Sequence, residues 1–209
     1  MDNLVLILIA YLLGSMPSAV WIGKALYGID VRDYGSGNAG ATNTFRVLGK
    51  RAGFPVLILD VLKGFFAVKL AWISGFYLFG TQQYFNFALL LGMAALIGHI
   101  FPVFAGFRGG KGVATLLGIL CGIHPQAALL CTLVFIFTLL ITHYVSLGSL
   151  VAALTFPVVL MFIYNETVPS LNLFAMFICV MVFITHQKNI ERLLRGEESK
   201  TFLITRRKQ

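Results

Sequence analysis

The sequence predicts an all-α fold: a polytopic integral membrane helical bundle, forming one membrane domain over residues 1–209. Three observations predict it. Of the 209 residues, 58% are apolar and only 11% charged, whereas soluble domains are about a quarter charged. Apolar runs near twenty residues recur along the whole chain. That length crosses a hydrocarbon core about 30 Å thick at about 1.5 Å per residue. The cations are also segregated along the chain, as membrane proteins require.

The first apolar segment, 3–22, reads as a spanning helix bent near Ser15-Met16-Pro17-Ser18. It does not read as a cleavable signal, because Asp2 stands where a basic region belongs and no small-residue cleavage site closes it. Further segments follow at 54–79, 84–105, 113–123, 126–143, 147–164 and 171–185. Segment 113–123 is short for a crossing and ends at His124-Pro125, which breaks a helix. All sixteen Lys and Arg residues lie in four regions: 24–51, Lys63 with Lys69, 108–111 and 188–208. The connections 80–83, 124–126 and 165–170 hold none. The positive-inside rule puts the basic regions toward the cytoplasm and the N-terminus outside. An odd number of crossings satisfies this, and seven is favoured, with the C-terminus cytoplasmic.

The net charge of +8 thus acts as an orientation signal. No basic patch interleaved with exposed aromatics points to nucleic acid. Cys121, Cys131 and Cys179 lie in apolar stretches without metal spacing, which fits packing residues and not disulfides.

Three polar motifs, at 35–46, 106–115 and 186–200, are expected on the cytoplasmic face. In the first, Gly35, Ser36, Gly37, Asn38 and Gly40 precede Ala41, Thr42, Asn43 and Arg46. Glycines let backbone N–H groups approach an anion, a helix start after Ala41 adds positive potential, and Arg46 offers a bidentate fork. The same letters spell GxGxxG, with Asp60 twenty residues beyond Gly40. No strand precedes them, and Asp60 lies in an apolar helix, so this is not a dinucleotide site. The alternative is a flexible interhelical loop. The second motif, Arg108-Gly109-Gly110-Lys111-Gly112 leading to Thr115, is another glycine-rich turn with two cations. It is not a Walker A loop, since Ala105 replaces the first glycine and Gly112 the Ser/Thr after Lys111. Its alternative is a basic turn set by the positive-inside rule.

In the third motif, His186 and Asn189 are i, i+3 and share a helix face. Histidine carries protons near neutral pH or donates to an oxyanion. The alternative is an amphipathic tail on anionic lipid. His186 and Glu191 are i, i+5 on different faces and are not assigned as a pair. Asp60 and Lys63, i, i+3 inside a membrane helix, form an ionisable pair that is costly unless used or buried. Ser146 and Ser149 begin a helix and suit capping or close packing. His99 reads as a packing histidine. His124 and His143 sit at helix ends and receive no chemistry. Three motifs on one membrane face point to a phosphorylated substrate met there and a lipid partner reached from the bilayer.

On the stretches 35–46, 60–64, 99–115, 146–149 and 186–200, with matching length and hydropathy, the whole chain resembles the bacterial acyl-phosphate:glycerol-3-phosphate acyltransferase family (PlsY). The resemblance implies transfer of an acyl chain from acyl phosphate to the 1-hydroxyl of glycerol 3-phosphate. The products would be lysophosphatidic acid and phosphate, the first acylation of phospholipid synthesis, made at the bacterial cytoplasmic (inner) membrane. It implies no metal, no cofactor and no obligate protein partner. It further implies catalytic roles for Ser36, Arg46, Lys111, His186 and Asn189. Substrate or phosphate contacts would fall to Gly35, Gly37, Asn38, Gly40, Thr42, Asn43, Asp60, Lys63, Arg108, Gly109, Gly110, Thr115, Ser146 and Ser149. Phosphate is a good leaving group, so no covalent intermediate is expected. The hydroxyl proton passes either to the donor's own phosphate or to His186. A small organic-phosphate transporter is the runner-up, compatible with Asp60, Lys63 and glycine-broken helices. Against it, the polar motifs gather at one face, and no paired halves are visible.

Overall fold

The first apolar segment is two helices, α1 (Asn3–Ser15) and α2 (Ser18–Tyr27), bent by 43° at Met16-Pro17. Met16 is extended (ψ 109°), as the residue before a proline prefers. The computed structural model describes residues 2–201 of the chain. The tail cations Arg206, Arg207 and Lys208 lie outside the described residues. Among these, every regular element is helical, which makes the chain an all-α membrane protein.

α2 ends at Gly28, whose left-handed φ of 69° supplies its C-cap. A 3-10 turn, Val31–Asp33, leads to the short α3 (Ala41–Leu48) and the long α4 (Lys50–Ile73). α5 (Gln82–Ile100) is capped at its start by the Thr81 hydroxyl, which accepts from the Tyr84 N–H. α6 (Val113–Ile123) stops at His124, and Pro125 opens α7 (Pro125–Thr142). α8 (Val145–Val158) contains Pro157, and beyond it the ladder reopens as a π segment, Val159–Ile163. A proline that donates nothing to the ladder is a usual cause of such a break. α9 (Pro169–Thr185) and α10 (Gln187–Leu194) meet at a 62° bend on His186.

Among the described residues, three helical stretches are long and apolar enough to cross a membrane: Gln82–Ala105, Pro125–Thr142 and Val145–Ile163. They become five if each bent pair, α1–α2 and α9–α10, counts as one span. The remaining two of the seven expected segments are α4, 24 residues long but carrying Lys50, Arg51, Asp60, Lys63 and Lys69, and the 11-residue α6.

The described residues fall into two compact units, divided after Pro125. In the first, lipid supplies no hydrophobic drive between helices, so close backbone contact must do that work. Gly64 of α4 lies against the Thr115 carbonyl of α6, and Gly118 of α6 against the Val61 carbonyl of α4. Gly14 of α1 lies on Ala95 of α5, and Gly98 of α5 on the Tyr11 carbonyl of α1. Leu6, Leu91, Leu96, Val56 and Ile119 fill the spaces between. In the second unit, Phe156 and Leu160 are buried in the α8 arm, and Leu171, Phe174, Ala175 and Ile178 in α9. All three cysteines are free.

A Cβ at position 118 has no room against the α4 backbone. Gly118→Val should therefore lower stability by about 1–3 kcal/mol, read as a reduced unfolding midpoint in detergent. An unchanged midpoint would contradict the close α4–α6 crossing.

Candidate active site

The first unit carries two glycine-rich loops, each opening into a helix without a side-chain cap. The loop before α3 is shaped by Gly35 and Gly37, both left-handed at φ 61° and 71°. It is held by one buried side chain. The Asn43 amide donates to the carbonyls of Val31 (2.8 Å) and Tyr34 (3.1 Å), and its oxygen accepts from the Ser36 N–H (2.9 Å). The Gly37 N–H donates to the Tyr34 carbonyl. Ser36, Thr42 and Arg46 are exposed, and Thr42 and Arg46, i, i+4, share one face of α3. Gly40 caps the helix with no side-chain bond, so the first N–H groups of α3 have no intrahelical partner.

The second loop rests on the end of α5. The Gly109 N–H donates to the Ile100 carbonyl and the Gly110 N–H to the His99 carbonyl, both at 3.1 Å. These bonds satisfy two carbonyls that a helix end otherwise leaves open. Gly110 lies directly on the His99 ring. The glycines at 35, 37, 109 and 110 therefore serve turn geometry and close packing, while Ser36, Gly37, Gly109 and Gly110 spend their N–H groups inside the protein. The helix starts that these loops lead into, those of α3 and α6, have no side-chain cap, with Gly112 left-handed before the latter, and the cations of the two loops are Arg46, Arg108 and Lys111.

Beneath the second loop lies a buried polar cluster. Asp60 is 1% exposed. Its Oδ1 accepts from the Ser18 hydroxyl at 2.6 Å and pairs with Lys63 Nζ at 2.9 Å. Lys63 also donates to the Met16 carbonyl at 2.9 Å, in the break between α1 and α2. His99 Nδ1 lies 3.1 Å from the Thr115 hydroxyl and 3.8 Å from Asp60. Asp60, Lys63 and Thr115 are thus brought together, but packed inside the protein, where His99 joins them.

A link between the two loops comes from residues outside the three motifs. Asp30 holds Arg32 in a two-pronged bond (Nε to Oδ1 3.0 Å, Nη2 to Oδ2 2.8 Å), and Lys24 adds a contact at 3.3 Å. The Arg32 side chain keeps the Asp30 carboxyl well below the usual carboxylate range. Arg32 Nη1 donates to the carbonyls of Ala105 (2.7 Å) and Arg108 (3.3 Å).

The second unit places His186 and Asn189 at the α9–α10 bend, both buried. His186 Nδ1 lies 2.8 Å from the Val182 carbonyl. A carbonyl only accepts, so Nδ1 carries the hydrogen and Nε2 of the neutral ring is the nitrogen able to accept one. The Asn189 amide donates to Glu198 Oε1 at 2.7 Å, and the Ser146 hydroxyl to the same oxygen at 2.9 Å. Arg192 Nε donates to Oε2 at 2.7 Å. Burial alone would raise the Glu198 pKa, but the bonds from Arg192, Asn189 and Ser146 outweigh it and hold the carboxylate below its ordinary range. Ser149 instead bonds its own helix, at the Val145 carbonyl.

A family model described as "Glycerol-3-phosphate acyltransferase" matches residues 4–196. The chain belongs to the glycerol-3-phosphate acyltransferase family. It is 43% identical over 207 residues to the glycerol-3-phosphate acyltransferase of Enterococcus faecalis, covering 96% of this chain and 92% of the relative. The one from Fusobacterium nucleatum is 44% identical over 196 residues, covering 93% and 95%. Among solved structures, PlsY (YgiH), an integral membrane glycerol 3-phosphate acyltransferase, is similar in its glycerol 3-phosphate form. The TM-score is 0.87 at 40% identity, with 96% of each chain covered. Its lysophosphatidic acid form gives 0.83 at 38% identity, covering 96% and 95%.

Within this acyltransferase, sequence reasoning passed over Asp30, Arg32 and Glu198. Asp30 and Arg32 are i, i+2 in a 3-10 turn, where no helix periodicity marks them. Glu198 lies nine residues past Asn189 and returns to it through the left-handed turn at Gly196. Glu198 is one of three acidic residues in the tail, with Glu191 and Glu197, and nothing in the sequence singles it out.

Because the folded Glu198 carboxyl titrates below its unfolded value of 4.5, its contribution to stability is complete above that pH. The contribution is lost as pH falls through the lowered folded value. Glu198→Gln should abolish this component of the acid limb in unfolding midpoints measured from pH 7 to pH 3. It should also lower the midpoint at pH 7. An unchanged acid limb would argue against the charged hub.

Proposed function

We propose that the chain transfers an acyl group from acyl phosphate to the 1-hydroxyl of glycerol 3-phosphate, at the cytoplasmic side of a bacterial inner membrane. The hydroxyl oxygen bonds to the acyl carbon, the carbon–oxygen bond to phosphate breaks, and lysophosphatidic acid and phosphate leave. One observation carries this reading: a chain of this family holds two glycine-led, uncapped helix starts in one unit, each with exposed or half-exposed cations. Both substrates bear a phosphate, so two such starts have a use.

Magnitudes decide which groups do the binding. An exposed helix start is worth about 0.3–1 kcal/mol toward an anion, while micromolar affinity needs about 8 kcal/mol. The larger share therefore falls to charge-assisted bonds from Arg46 and Lys111, with Ser36, Asn38, Thr42 and Arg108 beside them. Asn43, Thr115, Asp60 and Lys63 support these loops from beneath. In the second unit, Asn189 stabilises charge on the carbonyl oxygen, while His186, its Nδ1 hydrogen spent on the Val182 carbonyl, positions the reacting centre, with Ser146 and Ser149 behind them. The departing phosphate takes the hydroxyl proton, and no covalent intermediate forms. A second proton route has its own support: with hydrogen fixed on Nδ1 by the Val182 carbonyl, His186 Nε2 is poised as a base.

Purified protein in lipid, given palmitoyl phosphate, should release phosphate and make lysophosphatidic acid only when glycerol 3-phosphate is present. Arg46→Ala should lower kcat/KM by about 100-fold or more. No release from folded protein, with uptake of labelled glycerol 3-phosphate into sealed vesicles, would replace the enzyme with a transporter.

His186→Asn separates the two proton routes. On the phosphate route, wild type and variant keep the same pH profile. On the base route, the wild type alone loses activity as pH falls and protons occupy the base.

A further inference from the structure

We propose that Arg32, gripped by Asp30, is a positioning residue that fixes the spacing between the two phosphate-binding loops. The inference rests on the reading of those loops as anion sites.

The bonds run in one chain through the first unit. The Asn43 amide ties the first loop to the 3-10 turn: it accepts from the Ser36 N–H and donates to the Val31 and Tyr34 carbonyls. The next residue of that turn is Arg32, and its Nη1 reaches both Ala105 and Arg108. These two carbonyls bracket Gly106 and Phe107, which are both left-handed, at φ 61° and 59°. Phe107 is not a glycine, so this bend is strained and holds only where its surroundings over-determine it. Arg32 closes the bend from outside, and the Phe107 N–H bond to the Pro102 carbonyl closes it from within. The cations of the second loop begin at once, with Arg108.

Asp30 makes the arginine rigid. Its two oxygens take Nε and Nη2, and Oδ1 also accepts the Arg32 backbone N–H. That leaves Nη1 for the second loop. The planar fork grips the carboxylate through two nitrogens and keeps a third for the second loop; a lysine would have to serve both from one point charge without that two-pronged hold. The acidic turn residue and the arginine thus act as one part. The separation they set matches two anion sites to two substrates that must meet at one reacting bond, and misplacement there is amplified in rate.

The test uses the full chain in lipid nanodiscs, with Arg32→Lys, Asp30→Asn and the double variant. In Arg32→Lys, KM for glycerol 3-phosphate and for palmitoyl phosphate should rise on the order of tenfold or more, with the unfolding midpoint nearly unchanged. Asp30→Asn should move the same constants in the same direction. The double variant should fall no further than Arg32→Lys alone, because Asp30 acts through Arg32. In Arg32→Ala, millimolar guanidinium should restore part of the lost KM, which a general loss of packing would not allow. Wild-type KM values in both single variants would overturn the proposal. So would kcat and midpoint falling together with KM unmoved, the mark of a merely structural residue. If Arg32→Lys does not fold, Asp30→Asn decides by the same criteria. Arg46→Ala and Lys111→Ala are measured alongside. If they too leave KM unmoved, the loops are not anion sites; if they raise it while the Arg32 variants do not, only the clasp fails.

Discussion

The first unit is organised around the burial of Asp60 and Lys63. Each ion loses several kcal/mol of hydration on leaving water, and removing one partner typically costs about 3–5 kcal/mol because the other charge is stranded. The pair is tolerable because it is also useful to the backbone. Pro17 breaks the first span, and a broken helix in a bilayer must find partners for its freed carbonyls inside the protein. Lys63 supplies one to Met16, and Ser18, across the break, donates to Asp60. His99 and Thr115 then bring the ends of α5 and α6 to the same point. Four helical arms are pinned by two charges.

That pin determines where the loops can lie. The second loop is laid across the end of α5, with Gly110 on the His99 ring and Gly109 on the α5 carbonyls. Any side chain at these glycines would lift the loop. Glycine is therefore chosen here for contact and not for open N–H groups, although both uses look alike in sequence. The free donors lie one step further on, at the uncapped start of α6, and the same holds at α3. A loop whose own amides are spent inside the protein is rigid, which on the proposed reading lowers the entropy lost when a phosphate is held.

The second unit uses a different device. α9 and α10 bend on His186, which uses its own Nδ1 to satisfy a helix-end carbonyl. A single carboxylate, Glu198, gathers Ser146, Asn189 and Arg192. Ser146 was legible as a helix-start serine, yet its bond runs to a residue 52 positions away, and Ser149 bonds its own helix. Helix periodicity predicts neighbours three or four residues apart; it carries no information about a partner brought by a turn.

The sequence by itself determined the class of the molecule, its apolar segments, the break at Met16-Pro17, the short eleven-residue α6 and the three polar motifs. These follow from composition, proline chemistry and local spacing, which act over a few residues. The resemblance to an acyltransferase family was also legible in those motifs, and the family match over residues 4–196 agrees. Only the tertiary structure decided that Asp60 and Lys63 lie packed within the protein, and that Asn43 is a buried brace. It alone revealed the links made by Asp30, Arg32 and Glu198. Each of those depends on long-range contacts in which a charge or amide must find partners away from water, and low dielectric makes an unmet partner too costly to leave.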